Sequence, residues 1–188
     1  MKRISLLIGL VALIAQAQSP SDIRFNEISV VRDSSGMAVE QWIELYNTSC
    51  TAIDMQGLYI SNDLSNLCKY RVPQGTYETQ FQPRGFAVID ADGKAYNGPL
   101  HTPFSLDESA MVYLVQANGR VILDSVAVPQ NGSMHRASNG AGEWSAIELP
   151  TKGYSNEKSS GVGNVEKFQQ VDPYGGGIAL ISMSVVFS

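Results

Sequence analysis

Trp42-Ile43-Glu44-Leu45-Tyr46-Asn47 decides the fold. Its side chains alternate with period 2, the signature of a half-buried β-strand. Trp42, Glu44 and Tyr46 fall on one face; Ile43, Leu45 and Asn47 fall on the other. A carboxylate set among large apolar groups needs hydrogen-bond donors, because an unpaired buried charge is costly. Glu44 therefore predicts that donors are brought to it by the fold.

Runs of the same kind recur on both sides, separated by Gly, Pro, Asn and Asp. Strands are expected over 23–30, 39–47, 57–61, 85–90, 111–116 and 120–126. Asn118-Gly119 joins the last two, and an Asn-Gly pair accepts the positive φ angles of a tight hairpin turn. No segment holds an amphipathic helical period over three turns. Many short strands with regular turns predict an all-β sandwich or barrel over residues 21–156, large enough for a single core.

The ends of the chain have a different character. Lys2 and Arg3 precede an apolar run from Ile4 to Ala15, and Ala15-Gln16-Ala17 is a small-x-small site, so residues 1–17 read as a signal peptide that exports the rest. Without them the chain carries 11 basic and 18 acidic residues, a net charge of −7. No Lys/Arg cluster is present, which argues against nucleic-acid binding and against charge-driven binding to anionic lipid. Residues 157–177 are polar and glycine-containing, a flexible-linker composition. Residues 178–188 hold no charge. They suit either the start of a transmembrane helix or a last sandwich strand. The missing alternation favours the helix, although a full span needs about 20 apolar residues. The expectation is that the reading frame continues as membrane helix beyond Ser188.

Several stretches together resemble the lamin-tail domain, an immunoglobulin-like β-sandwich. Asn26-Glu27-Ile28 is similar to that family's opening strand, and Trp42 to Asn47 to its second. Ile53 to Asp63, with Gly57 and Asp63, resembles its Leu-x-Gly-Trp-x-Leu-x-Asp strand, with Met55 and Tyr59 replacing commoner residues. Ser133 to Arg136 and Trp144 resemble its Ser-x-x-Arg and Trp positions. Thr151 to Asn156 is similar to its closing Thr-Pro-Gly-x-x-Asn, with Lys152 in place of proline. The resemblance implies structural roles for Glu27, Trp42, Glu44, Leu45, Asn47, Gly57, Asp63, Arg136 and Trp144. It also implies a binding or scaffolding module.

Gly177 to Phe187 carries a second resemblance, to the start of the membrane helix in the gamma subunit of the sodium-pumping oxaloacetate decarboxylase, with Ser182 where that family usually has Gly. This resemblance implies the periplasmic face of a bacterial inner membrane. It also implies other protein subunits of a membrane complex as partners, with the membrane contacted through the C-terminal segment. The alternative is a freestanding exported adhesion or scaffolding domain.

Candidate chemistry is sparse. His101 lies in a proline-punctuated loop and His135 precedes Arg136; neither has metal-ligand spacing to another His or Cys. Asp90-Ala91-Asp92-Gly93 has the start of a calcium loop, but Ala95 and His101 stand where that loop needs glycine and glutamate. It reads as a polar turn. Glu27 and Glu44 fall on neighbouring strands. They suit either acid–base work or the anchoring of buried amides, and the second is the expectation. Cys50 and Cys68 are the only cysteines, and export suggests one disulfide between them. The sequence thus predicts a non-catalytic domain with no cofactor and no metal.

Overall fold

The structure, a computed structural model, describes residues 20–107 and 109–157. The expected signal peptide 1–17, the linker beyond Glu157 and the apolar run 178–188 lie outside these residues.

The alternation read at 42–47 builds one arm of a long antiparallel hairpin, β1 (Ile23–Arg32) and β2 (Ala38–Asn47). Asp33 closes the connecting turn: its Oδ1 accepts the amides of Ser35 at 2.8 Å and Met37 at 3.0 Å. Short strands follow: β3 (Ile53–Asp54), β4 (Tyr59–Ser61), β5 (Tyr70–Arg71), β6 (Gln80–Phe81) and β7 (Phe86–Asp90). Two further hairpins complete the order, β8 (Met111–Val115) with β9 (Ile122–Ala127), and β10 (Gly132–Ser138) with β11 (Ala141–Ile147). Helical structure among the described residues is limited to three 3-10 turns of three residues each.

The strands form a five-stranded sheet in the order β11-β10-β1-β2-β7, a four-stranded sheet in the order β5-β4-β8-β9, and a small β3-β6 pair. All their pairings are antiparallel. This is the expected all-β architecture, consistent with an immunoglobulin-like sandwich. Ile23, Phe25, Ile28 and Val30 of β1 and Ile43 and Leu45 of β2 form the core with Ile60, Val112, Leu114 and Val126 of the other sheet. Burial of each such side chain contributes about 1.5–3 kcal/mol.

The hairpin at Asn118-Gly119 forms, but not through the expected tight turn: only Gly119 of the pair takes a positive φ, +69°, and the connection runs over residues 116–121. Its strands are shorter than the apolar runs because Asn118 Oδ1 accepts the amides of Arg120 and Val121, at 2.9 and 3.2 Å, and withholds them from the ladder. The β10–β11 hairpin was not among the expected strands. It turns on another Asn-Gly pair, Asn139-Gly140, and lays β10 against β1. Gly140 is required there. It sits at φ +69°, and a Cβ would meet Thr48 Cγ2 at 2.7 Å and Tyr46 Cδ1 at 2.9 Å.

One irregularity shapes the outer face of the larger sheet. Phe25 pairs with Leu45 and Glu27 with Glu44, so Asn26 is an extra residue bulged out of β1. The bulge keeps Phe25 and Ile28 in the core and sets Glu27 directly opposite Glu44 on the other face.

Candidate functional site

Glu27 and Glu44 form a cross-strand pair on the outer face, and both residues are 0% exposed. Like charges directly opposite each other destabilise a sheet unless something compensates. Compensation comes from residues 148–157, which follow β11 and lie over β1 and β2 as a strap. The Thr151 amide donates to both Glu27 carboxylate oxygens, at 3.0 and 3.1 Å, and the Gly153 amide donates to Glu44 Oε2. From the bulge, Asn26 Nδ2 donates to Glu44 Oε1 at 2.7 Å and to Asn156 Oδ1 at 3.1 Å. Asn156 Nδ2 in turn donates to the carbonyls of Asn26 and Arg136, at 3.1 and 3.0 Å. Gly140 N–H donates to Asn26 Oδ1 at 2.8 Å. Bulge, hairpin turn and strap are thus joined through Asn26 and Asn156.

Burial pushes the Glu44 carboxyl up to about 7; the charge of Glu27 adds to this, and the donors Asn26 and Gly153 oppose it. The cations nearby are otherwise engaged. Lys152 pairs with Glu40 at 2.7 Å and stands 5.1 Å from the centre of the Trp42 ring. His135 is the register partner of Glu27 on β10, and its buried Nδ1 has no hydrogen-bond partner.

A second cluster clasps the two sheets. Arg136 Nη2 donates to both Asp124 oxygens, at 3.0 and 2.9 Å, and its Nε donates to the Phe25 carbonyl at 2.7 Å. Asp124, on β9, also accepts the Phe25 amide at 2.9 Å. The guanidinium lies 4.8 Å from the centre of the Trp144 ring.

The remaining singled-out residues are structural. Leu45 is in the core. Trp42 is equally buried but on the outer face, beneath Lys152, not between the sheets. Asn47 organises the loop after β2: its Nδ2 donates to the carbonyls of Thr51 and Gln82, at 2.7 and 3.0 Å. Gly57, at φ +80°, turns the chain into β4 and donates its amide to the Val72 carbonyl. Asp63 caps Ser65, whose hydroxyl holds its carboxylate below the usual range.

The expected disulfide is not formed. Cys50 and Cys68 are free, exposed thiols. Cys50 follows β2 and lies by Arg84 Nη2 at 3.6 Å; Cys68 precedes β5 and lies by the Gly119 carbonyl at 3.7 Å. The chain between them crosses from one sheet region to another, so closeness in sequence does not become closeness in space.

His101 Nδ1 lies 3.1 Å from Asp92 Oδ2, and its Nε2 lies 3.9 Å from Asp90 Oδ2. The histidine thereby ties the Asp90–Gly93 turn to the loop that precedes β8. Among the described residues no group of three His, Cys, Asp or Glu is placed to hold a metal ion. Sequence reasoning missed Asn26, Asn139 and Asn156. The Asn-Gly pair it forms with Gly140 was the available signal for Asn139, and the closing Thr-x-Gly-x-x-Asn pattern for Asn156.

The sequence profile of the Lamin Tail Domain family matches residues 16–130. That stretch includes Glu27, Trp42, Glu44, Leu45, Asn47, Gly57 and Asp63; Arg136, Trp144 and the strap lie after it. No curated protein and no solved structure matches the chain. With more than half its length matched, and an all-β sandwich built on the strand pair that carries Glu27 and Glu44, the chain belongs to the lamin-tail domain family.

Proposed function

We propose that the chain is a non-catalytic, extracytoplasmic interaction module, tethered to the inner membrane through its C-terminal segment. It serves as a gamma-type subunit in a sodium-pumping oxaloacetate decarboxylase complex. Family membership supports the interaction role. One observation carries the non-catalytic part: the carboxylates that could do acid–base work are closed over by the chain's own main-chain donors. Glu27 takes the Thr151 amide, Glu44 the Gly153 amide, and Asp124 the Phe25 amide. Carboxylates bound in this way hold a surface in shape. The tether and the complex are supported by the signal-like start, the polar linker and the apolar run that resembles a gamma-subunit helix.

The test uses the tagged chain at its native locus. Expected results are retention in carbonate-washed membranes, co-purification with decarboxylase alpha and beta subunits, and loss of sodium-dependent oxaloacetate decarboxylation on deletion. Release into the soluble fraction would refute the tether. A deletion strain with full activity, and purification without those subunits, would refute the complex.

A further inference from the structure

The strap network is one proton short. Thr151 Oγ lies 2.7 Å from Glu27 Oε2 and 2.9 Å from Asn156 Oδ1. A hydroxyl has one hydrogen and cannot donate to both. Asn156 cannot be turned around to help, because its Nδ2 already faces two carbonyls. One further proton held by the carboxyl pair supplies the missing hydrogen and frees Thr151 to donate to Asn156. The charges point the same way. Two opposed, buried carboxylates face Lys152, which is bound to Glu40, and His135, whose Nδ1 has no partner. On the same face β7 brings Val88 level with Glu44 and Asp90 level with Trp42, β11 brings Ser145 level with His135 with exposed Glu143 two residues on, and β1 brings Arg24, bound to the Ile23 carbonyl, level with Tyr46; exposed Glu157 ends the strap. Tyr46 lies next along β2; Tyr154 and Glu148 of the strap are exposed.

We propose that the Glu27–Glu44 pair holds one shared proton beneath the strap of residues 148–157, and that loss of this proton releases the strap from the sheet. The fold then carries a proton-sensitive cover over the outer face of β1 and β2, including Trp42. An open strap leaves both carboxylates hydrated and ionised, whereas a closed one keeps them dry and one proton richer. A proton bound more tightly in the closed form favours closure at low pH. The Glu44 value of about 7, against its ordinary 4.5, sets the window. Closure is strongest below about 4.5 and is lost as pH rises through about 7. For one proton with these two values, the opening constant rises roughly 70-fold between pH 5 and pH 8.

Hydrogen exchange of the full chain tests this at the Thr151 and Gly153 amides, which donate directly to the two carboxylates. Rates are divided by those of an unstructured strap peptide at the same pH, which removes the intrinsic pH dependence of exchange. The expected result is a fall in protection of at least about tenfold from pH 5 to pH 8, with little change at core amides such as Ile43. Glu44→Gln should make strap protection independent of pH. If that variant does not fold, Glu27→Gln serves instead: it removes the charge that helps raise Glu44, so the window should move to lower pH and narrow. Protection that stays flat or rises with pH in the native chain overturns the proposal. So does a fall that persists unchanged in the variants, which would place the titration elsewhere, His135 included.

Discussion

Arg136 should be the most sensitive single charge in the domain. It joins the two sheets through a pair in which Nη2 reaches both Asp124 oxygens, and both side chains are largely buried, at 14% and 12% exposure. Charges about 4 Å apart at an effective dielectric near 20 attract by about 4 kcal/mol, before the cost of taking them out of water. Arg136→Met removes that attraction and the bond to the Phe25 carbonyl, and leaves Asp124 with only the amides of Phe25 and Ser125. Breaking one side of a buried pair costs about 3–5 kcal/mol. With a urea m-value of about 2 kcal/mol/M, the midpoint should fall by roughly 1.5–2.5 M. The assay is urea unfolding followed by far-UV circular dichroism. Tryptophan fluorescence is unsuitable, because Trp144 lies against Arg136 and would respond to the substitution itself. A double-mutant cycle with Asp124→Asn should give a coupling energy of about 2–3 kcal/mol. A coupling below about 0.5 kcal/mol would refute the charge-clasp reasoning and leave Arg136 as packing for Trp144.

Leu45→Ala should cost about 2–5 kcal/mol in the same assay, since Leu45 is fully buried between the sheets; a loss under 1 kcal/mol would contradict that placement. Gly140→Ala should cost several kcal/mol more than Gly153→Ala. Both glycines have positive φ, but only at Gly140 would the added Cβ meet neighbours, at 2.7 and 2.9 Å. Equal costs would show that the turn relaxes freely. Cys50 and Cys68 should each take one alkyl group in unreduced, folded protein, as exposed thiols do; an unlabelled chain two mass units lighter would restore the disulfide.

Much of this fold was legible in the sequence because strand periodicity is local. The backbone alone sends alternate side chains to opposite faces. That placed Ile43 and Leu45 together, and it marked Glu44 as a group in need of donors. The hairpin at Asn118-Gly119 was legible for the same reason: a glycine free to take a positive φ is a local signal, although Asn118 takes none and the turn is longer than the pair. The β10–β11 hairpin was harder to see. Its outer strand is largely exposed and carries Glu143 and Ser145 among small residues, so its apolar pattern is weak.

Composition and local pattern by themselves determined the class: an all-β domain with few chemistry-bearing clusters and a net acidic charge. They could not determine which strands pair, because pairing joins residues as far apart as Glu27 and His135. Only the tertiary structure brought Glu27 opposite Glu44, drew the strap over both, and set His135 beside them. Only it sent Cys50 and Cys68 to separate surroundings and placed Trp42 under the strap. For the carboxylate pair the physical reason is the one-residue bulge at Asn26, which fixes the register of β1 against β2. In a sheet, a shift of one residue exchanges the two faces.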